Sequence, residues 1–363
     1  ETNELLEKSV NLASLLETWG DSNVLAMAGA LVGFIFGLAA QRTRFCARAA
    51  VIECCEGQAG DRFSVWWLAF GACLVGVQAL VLAGWLKPSD SRYIASLGSI
   101  SGAVLGGLFF GAGMILTRGC ASRLLILSAN GNLRALLSGL VFAVTVQASI
   151  AGWLAPARQA MAAWWPVNGG PSRDLLQLSG IGPSGGMVLA LLALATGFYF
   201  FFKTHQRRWG LALGAIIAGL SIALGWGLTQ AIALQSFEAV QIQSLSFSSG
   251  SAEMLMRALS TSTSPSAGFD AGLLPATFLG SLLGALVGGD FKLEGFKTEN
   301  KLGHYLIGAV LMGFGAVLAG GCTVGAGMTG GSLFSLTAWL TLIAIWLGAG
   351  MAWRINRRMG WPI

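Results

Sequence analysis

Two widely separated segments of this chain read alike, and the likeness limits what the chain can fold into. GAVLGGLFFGAGMILTRGC (102–120) and GAVLMGFGAVLAGGC (308–322) are both glycine-laced apolar stretches that end in a Gly-Cys pair, Arg118-Gly119-Cys120 and Gly320-Gly321-Cys322. After each cysteine come small and polar residues, ASRLLIL and TVGAGMT, and then another apolar stretch. An internal repeat in so hydrophobic a chain predicts a membrane protein built from two related halves, with its site where the halves meet. A cysteine at the same place in both copies points to sulfur, a soft metal or redox chemistry.

The medium follows from the charge content. Only 10% of residues are charged, against roughly 25% in soluble proteins, and the mean hydropathy is +0.70. The 52 glycines and 13 tryptophans fit close helix contacts and interface anchoring in a bilayer. Residues 1–22 carry Glu1, Glu4, Glu7, Glu17 and Asp21 against Lys8 alone, so no cleavable basic leader is read there. Leu5, Leu6, Leu12, Leu15, Leu16 and Trp19 recur at helical spacing and predict a short interfacial helix. The net charge of +6 is assigned to cytoplasmic loops, not to nucleic-acid binding, because no basic arm is present. Six cysteines without a CxxC, and without a histidine close in sequence, argue against a disulfide framework and against zinc, so no metal or cofactor is expected.

A bilayer-spanning helix needs about 20 apolar residues. Nine stretches qualify: 24–40, 63–85, 98–116, 134–153, 185–202, 209–235, 271–289, 302–319 and 333–353. Arginine and lysine gather in alternate connections: Arg42, Arg44 and Arg48; Arg118, Arg123 and Arg134; Lys203, Arg207 and Arg208; Lys292, Lys297 and Lys301; Arg354, Arg357 and Arg358. The positive-inside rule then places the N-terminus outside and the C-terminus in the cytoplasm. The third and eighth spans carry matching sequences yet run oppositely, which defines an inverted repeat. The expected fold is therefore an all-α polytopic membrane protein with about nine transmembrane helices, short broken or re-entrant helices and an inverted pseudo-two-fold. Its divisions are an N-terminal interfacial segment (1–22), a first half (23–153), a connector with one span (154–208) and a second half (209–363). Segments 121–129 and 323–330 are read as half-helices or re-entrant turns, tolerable only where they line a cavity.

Three constellations carry chemistry. In QRTRFCARAAVIECCEG (41–57), Arg42, Arg44 and Arg48 bracket Cys46; the arginines read either as a topological anchor or as the wall of an anion path, since a charge buried in the bilayer needs a partner or a function. Cys54 and Cys55 read as small apolar filler. In RGCASR (118–123), Gly119 lets a ligand approach the backbone, a helix beginning near Ala121 aims free N–H groups at the cavity, and Ser122 and Arg123 add donors. In GGCTVGAGMTGG (320–331), Gly321, Thr323, Thr329 and backbone amides are the polar features. Isolated thiols titrate at about 8.5, so the cysteines are expected as neutral SH groups at neutral pH, weak donors suited to passing a soft anion along several loose sites. Elsewhere, His205 and His304 read as interfacial, Trp164, Trp165 and Trp209 as interface anchors, and Glu53 and Glu56 as partners for nearby arginines.

On QRTRFC (41–46), RGCASR with the downstream GNLRALL (131–137), and GGCTVGAG (320–327), the chain resembles the YeeE/YedE family of bacterial inner-membrane sulfur-compound transporters. The resemblance covers both halves. It implies an hourglass-shaped inverted-repeat fold, uptake of thiosulfate, and a relay through Cys46, Cys120 and Cys322; the reading of the constellations adds Arg44, Arg118, Arg123, Gly119, Gly321 and Thr323 to the expected substrate pathway. The resemblance also implies a TusA-like cytoplasmic sulfur-carrier protein as partner. Where thiosulfate importers have Gly-Gly-Cys in the first half, this chain has Arg118-Gly119-Cys120, a form similar to the YedE-like branch, which leaves another sulfur species or a selenium compound as substrate. A membrane thiol enzyme, either a sulfurtransferase or a disulfide oxidoreductase, is the alternative class. A carrier of soft cations is disfavoured by the arginines.

Overall fold

The computed structural model describes residues 13–58, 60–204, 208–236, 238–259, 268–295 and 302–360. Among them, nine helical stretches are long and apolar enough to cross a membrane. Among the described residues, strand is confined to a two-residue ladder that pairs Gly98 with Val167 and Ser99 with Pro166. The chain is a multi-pass, all-α membrane protein.

In chain order the helices are α1 (Ala13–Trp19), α2 (Asp21–Arg42), α3 (Ala47–Cys55), α4 (Asp61–Leu82), α5 (Ile100–Leu116), α6 (Ala121–Ala129), α7 (Leu133–Ala151) and α8 (Ala155–Ala162). They continue with α9 (Gly182–Lys203), α10 (Trp209–Gln235), α11 (Phe247–Leu259), α12 (Phe269–Gly288), α13 (Leu302–Leu318) and α14 (Leu336–Arg358). Between α13 and α14 lies a wide, π-type helix, Thr323–Gly330. Of the N-terminal stripe, Leu16 is buried while Leu15 and Trp19 are exposed, as an interfacial helix requires; Leu5, Leu6 and Leu12 fall outside the described residues, as do His205, Arg207, Lys297 and Lys301.

The helix pairing repeats itself. α2 packs on α12 and α10 on α4; α5 packs on α14 and α13 on α7; α2 meets α10, and α5 meets α13. Exchanging α2, α4, α5 and α7 for α10, α12, α13 and α14 returns the same set of pairs. One extra span, α9, separates the two sets, so matched helices run in opposite directions. It packs mainly on α4 and turns Val188, Leu189, Leu191 and Leu192 outward.

Glycine makes the pairing close. A Cβ on Gly29, Gly33 or Gly37 of α2 would lie 2.0, 2.4 and 2.3 Å from the carbonyl oxygens of Phe269, Leu273 and Thr277 on α12. Without a hydrophobic drive between helices in lipid, such small-residue seams supply the van der Waals contact that holds a bundle together. Gly106 of α5 and Gly315 of α13 meet in the same way at the centre. At one membrane face the chain before α7 is tied to the chain after α12: Lys292 and Glu294 donate from their backbone nitrogens to Asn130 and Gly131, and Asn132 donates through Nδ2 to Glu294 Oε2 at 2.6 Å.

Candidate functional site

Three of the helix breaks inside the bundle carry a cysteine. α2 ends at Arg42 and α3 restarts at Ala47 with Cys46 as its N-cap; α5 ends at Leu116 and α6 restarts at Ala121 with Cys120 as N-cap; α13 ends at Leu318 and the wide helix starts at Thr323 with Cys322 as N-cap. The backbone solves each break in one way. The residue two positions before the cysteine is left-handed: Arg44 at φ 52°, Arg118 at φ 60° and Gly320 at φ 80°. The next residue closes the preceding helix in two of the three, Phe45 N–H donating to Ala40 O at 2.9 Å and Gly321 N–H to Ala316 O at 2.8 Å. Each thiol thus stands at the amino end of a helix that begins within the bundle, where unpaired N–H groups and the helix dipole favour an anion.

Cys120 and Cys322 are fully buried and Cys46 is half-buried. Cys120 Sγ lies 3.4 Å from Ser122 Oγ, and the Gly325 N–H donates to Cys322 Sγ at 3.3 Å. The Cys120 thiol interacts electrostatically with Cys46 in its own half and lies within reach of Thr323 from the other. Thr323 Oγ1 is buried without a well-formed hydrogen bond, so its lone pairs and proton stay available at the junction of the halves. Gly119 and Gly321 differ: a Cβ on Gly119 would meet Arg123 and Leu124 at ordinary distances of 3.4–3.5 Å, whereas one on Gly321 would press on the backbone nitrogen of Ala326 at 2.6 Å.

Cys46 opens into a cavity of about 400 Å³ lined by Arg44, Arg48, Arg62, Arg118 and Arg123, with Asp290 as its one acidic wall residue. Arg44, at the exposed rim, pairs with Asp290 at 3.4 Å. Arg48 Nε and Arg123 Nη1 are buried without a hydrogen-bond partner. Arg118 and Arg134 lie over the Tyr305 ring at 5.8 and 4.8 Å, and Arg134 donates to the Tyr305 hydroxyl. Positive charge so exceeds negative that the cavity suits an anion.

On the far side of Cys322, a second cavity of about 510 Å³ is lined by Arg92, Arg158 and Arg173 beside Gly320 and Ala326. Tyr93 beside Arg92 pushes that guanidinium up from its ordinary value, with Asp270 and Cys322 adding to the effect against the opposing cost of burial. Burial pushes Arg173 down; it donates to Ser96 O and to Thr337 Oγ1 at 2.5 and 2.6 Å while its Nε has no partner.

Arg92, Arg158 and Arg173 lie in connections outside those where arginine and lysine gather in the sequence. Their signal was missed because isolated arginines in Ser- and Pro-rich loops do not announce a shared cavity. Another expectation needs correction. Glu53 pairs with no arginine side chain; its carboxylate accepts the backbone N–H groups of Arg62 and Phe63 at 3.3 and 2.9 Å, capping the start of α4. A carboxylate at a helix N-terminus gains from both the bonds and the dipole. Cys73, unassigned from sequence, is buried on α4 and directs its thiol to Met328 O at 3.6 Å. Trp164, Trp165 and Trp209 are exposed, in keeping with interface anchors. Among the described residues no cluster of His, Cys, Asp or Glu is placed to hold a metal ion.

A helical membrane bundle whose broken helices place thiols between two arginine-lined cavities has the features of a sulfur-handling integral membrane protein. The chain belongs to the Sulphur transport family, whose pattern matches residues 42–351, so the YeeE/YedE membership read from the three motifs holds. It is 27% identical over 345 residues to the thiosulfate transporter TsuA of Spirochaeta thermophila, a match covering 91% of this chain and 99% of that protein. It is 24% identical over 355 residues to the thiosulfate transporter TsuA of Escherichia coli, covering 90% of this chain and 94% of that one.

Proposed function

We propose that this protein takes up a small sulfur oxyanion, thiosulfate, across a bacterial inner membrane along a path marked by Cys322, Cys120 and Cys46. The observation that carries the reading is the recurrence of one device, a thiol capping a helix that starts inside the bundle, at three breaks drawn from both halves. In this reading the cavity with Arg92, Arg158 and Arg173 faces outward and gathers the anion. Cys322 receives it, Cys120 and Thr323 hold it between the halves, and Cys46 releases it to Arg48 and Arg123. A terminal sulfur is large and weakly hydrated, so a neutral S–H satisfies it without the strong desolvation an oxyanion demands. The helix N-termini and the guanidinium groups answer the oxygen end. Three weak sites in series suit entry followed by release. The basic connections support an N-terminus outside and a C-terminus in the cytoplasm, where a TusA-like sulfur carrier would accept the product.

Transport is favoured over a thiol enzyme by the surroundings of Cys120. Its side-chain neighbours are the hydroxyls of Ser122 and Thr323, which are poor bases, and among the described residues no histidine or carboxylate is seen beside it to act as a general base. The test is radiolabelled thiosulfate uptake into proteoliposomes holding the full chain, alone and against competing sulfur and selenium anions. Uptake in the parent and its loss in Cys46→Ala, Cys120→Ala and Cys322→Ala, with each variant still folded, is expected. Undiminished uptake in all three single variants overturns the relay, and a covalent persulfide that persists on the protein after exposure favours the enzyme.

A further inference from the structure

The second half holds a fourth break that no cysteine marks. Gln243, Phe247 and Ser248 repeat the spacing of Gln41, Phe45 and Cys46, and α11 starts there as α3 starts after Cys46. The two phenylalanines flank one ring, Phe36, with centroids 6.1 Å from Phe45 and 5.4 Å from Phe247. By spacing Ser248 matches Cys46, and by its place just before the helix start Ser246 does, since α11 begins at Phe247 and α3 at Ala47.

This turn leans on Cys322. A Cβ on Gly325, whose N–H caps the Cys322 sulfur, would sit 2.9 Å from Ser246 Oγ. Thr329 Oγ1, on the same wide helix, donates to Leu245 O at 2.8 Å. The hydroxyls form a chain: Ser248 Oγ is 3.3 Å from Ser246 Oγ, Ser249 Oγ is 3.2 Å from Ser246 Oγ, and Ser249 Oγ is 3.1 Å from Asp270 Oδ2. Asp270 is 4% exposed, and its Oδ1 has no partner. The charged groups facing it are Glu253 of α11, held by Arg257 at 2.9 Å, and Arg92 from the loop before α5. At this end α2 brings the backbone of Ala26, Gly29 and Ala30 against α12.

We propose that Ser246 and Ser248 are a fourth contact for the anion, and that Asp270 sets their polarity so that anion binding beside Cys322 takes up one proton. A hydroxyl has a single hydrogen. An ionised Asp270 accepts the single hydrogen of Ser249, which then has none to donate to Ser246, and a negative charge stands behind the path. A protonated Asp270 donates to Ser249, whose own hydrogen is then free for Ser246, and the Ser246 and Ser248 O–H groups face the anion. The proton comes from solvent on the side the anion enters and leaves when the site empties.

This inference rests on the transport reading, and the experiment separates the two. Thiosulfate binding to the detergent-purified full chain is measured by calorimetry from about pH 5 to about pH 8, in two buffers of different ionisation enthalpy to count protons. Binding is expected to be tight at low pH and to weaken by up to about tenfold per pH unit once Asp270 ionises, with proton uptake approaching one per anion. Asp270→Asn should bind with little pH dependence, and Glu253→Gln should keep the parent's slope. Ser249→Ala, which cuts the chain at its contact with Asp270 but leaves the carboxyl in place, should flatten the slope too and decides the matter if Asp270→Asn fails to fold. Parent binding that is flat with pH, or a slope that survives in Asp270→Asn, overturns the inference and leaves transport standing. No binding of thiosulfate at any pH overturns both.

Discussion

The two glycines that precede the buried cysteines respond differently to the same substitution. In Gly321→Ala the new methyl would sit 2.6 Å from Ala326 N and 3.0 Å from its Cβ. Ordinary contact begins at 3.4 Å, so the first turn of the wide helix must move by about 0.8 Å. Neither atom is the end of a flexible side chain, and Ala326 N is already committed to Cys322 O at 2.9 Å. Overpacking of this kind costs roughly 1–3 kcal/mol. The motion also carries the Cys322 cap, and misplacing a working group by about 1 Å can cost on the order of 100-fold in rate. In Gly119→Ala the methyl meets Arg123 and Leu124 at 3.4–3.5 Å, ordinary contact. Gly119 is not left-handed, so stability should stay within about 0.5 kcal/mol, as for substitutions away from special features. Thermal unfolding followed by fluorescence-detected size exclusion, with thiosulfate uptake on the same preparations, reads both effects. Gly321→Ala should melt earlier and transport at least tenfold more slowly, while Gly119→Ala should melt like the parent. A Gly321→Ala protein with parental melting and uptake, or a Gly119→Ala protein that loses its fold, refutes the packing account.

Arg123→Gln and Arg48→Gln each remove a guanidinium that has a buried nitrogen without a partner. A hydrogen bond to a charged group contributes about 1.5–3 kcal/mol, so the uptake KM should rise by roughly ten- to 150-fold without loss of melting temperature. A KM unchanged in both would remove these arginines from the path. Gly33→Ala, whose methyl would lie 2.4 Å from Leu273 O, should force α2 from α12 and lower the melting temperature, and parental melting would deny that seam its role. Arg118→Gly relieves a left-handed arginine worth about 1–2 kcal/mol but returns about 0.4–1 kcal/mol of chain entropy to the unfolded state. It should therefore melt close to the parent while transporting less well, and full uptake would show that its charge serves only topology.

What the sequence made legible follows from which signals are local. The nine spans were readable because a run of about 20 apolar residues is its own evidence, and the positions of Cys120 and Cys322 were readable because the motif occurs twice. The half-helices 121–129 and 323–330 were foreseen for the same reason, and both are present. The break at α11 was not foreseen. Ser248 shares with Cys46 only a spacing, Gln-x-x-x-Phe, and serines in a Ser-rich stretch read as a polar loop. Asp270 and Arg92 escaped because their meaning lies in what faces them across the bundle, and facing is a tertiary property. Glu53 was assigned to arginines on sequence proximity, whereas an adjacent helix start offered two N–H groups in better geometry.

The paired halves supply a frame that is symmetric in its backbone and unequal in its chemistry. At the left-handed position before the cysteine, glycine stands in the second half and arginine in both breaks of the first. Only glycine takes that conformation without strain, so each arginine is held there at a cost the glycine avoids. Arginine at 44 and 118 puts positive charge beside Cys46 and Cys120, at the mouth opposite to Arg92 and Arg173. The fourth break replaces the thiol with hydroxyls and sets a carboxyl behind them. An anion moving from Cys322 toward Cys46 therefore leaves a site whose attraction depends on a proton and arrives at one whose charge is fixed. On the proposed chemistry that difference makes one end of the path respond to pH and the other not, although one scaffold builds both.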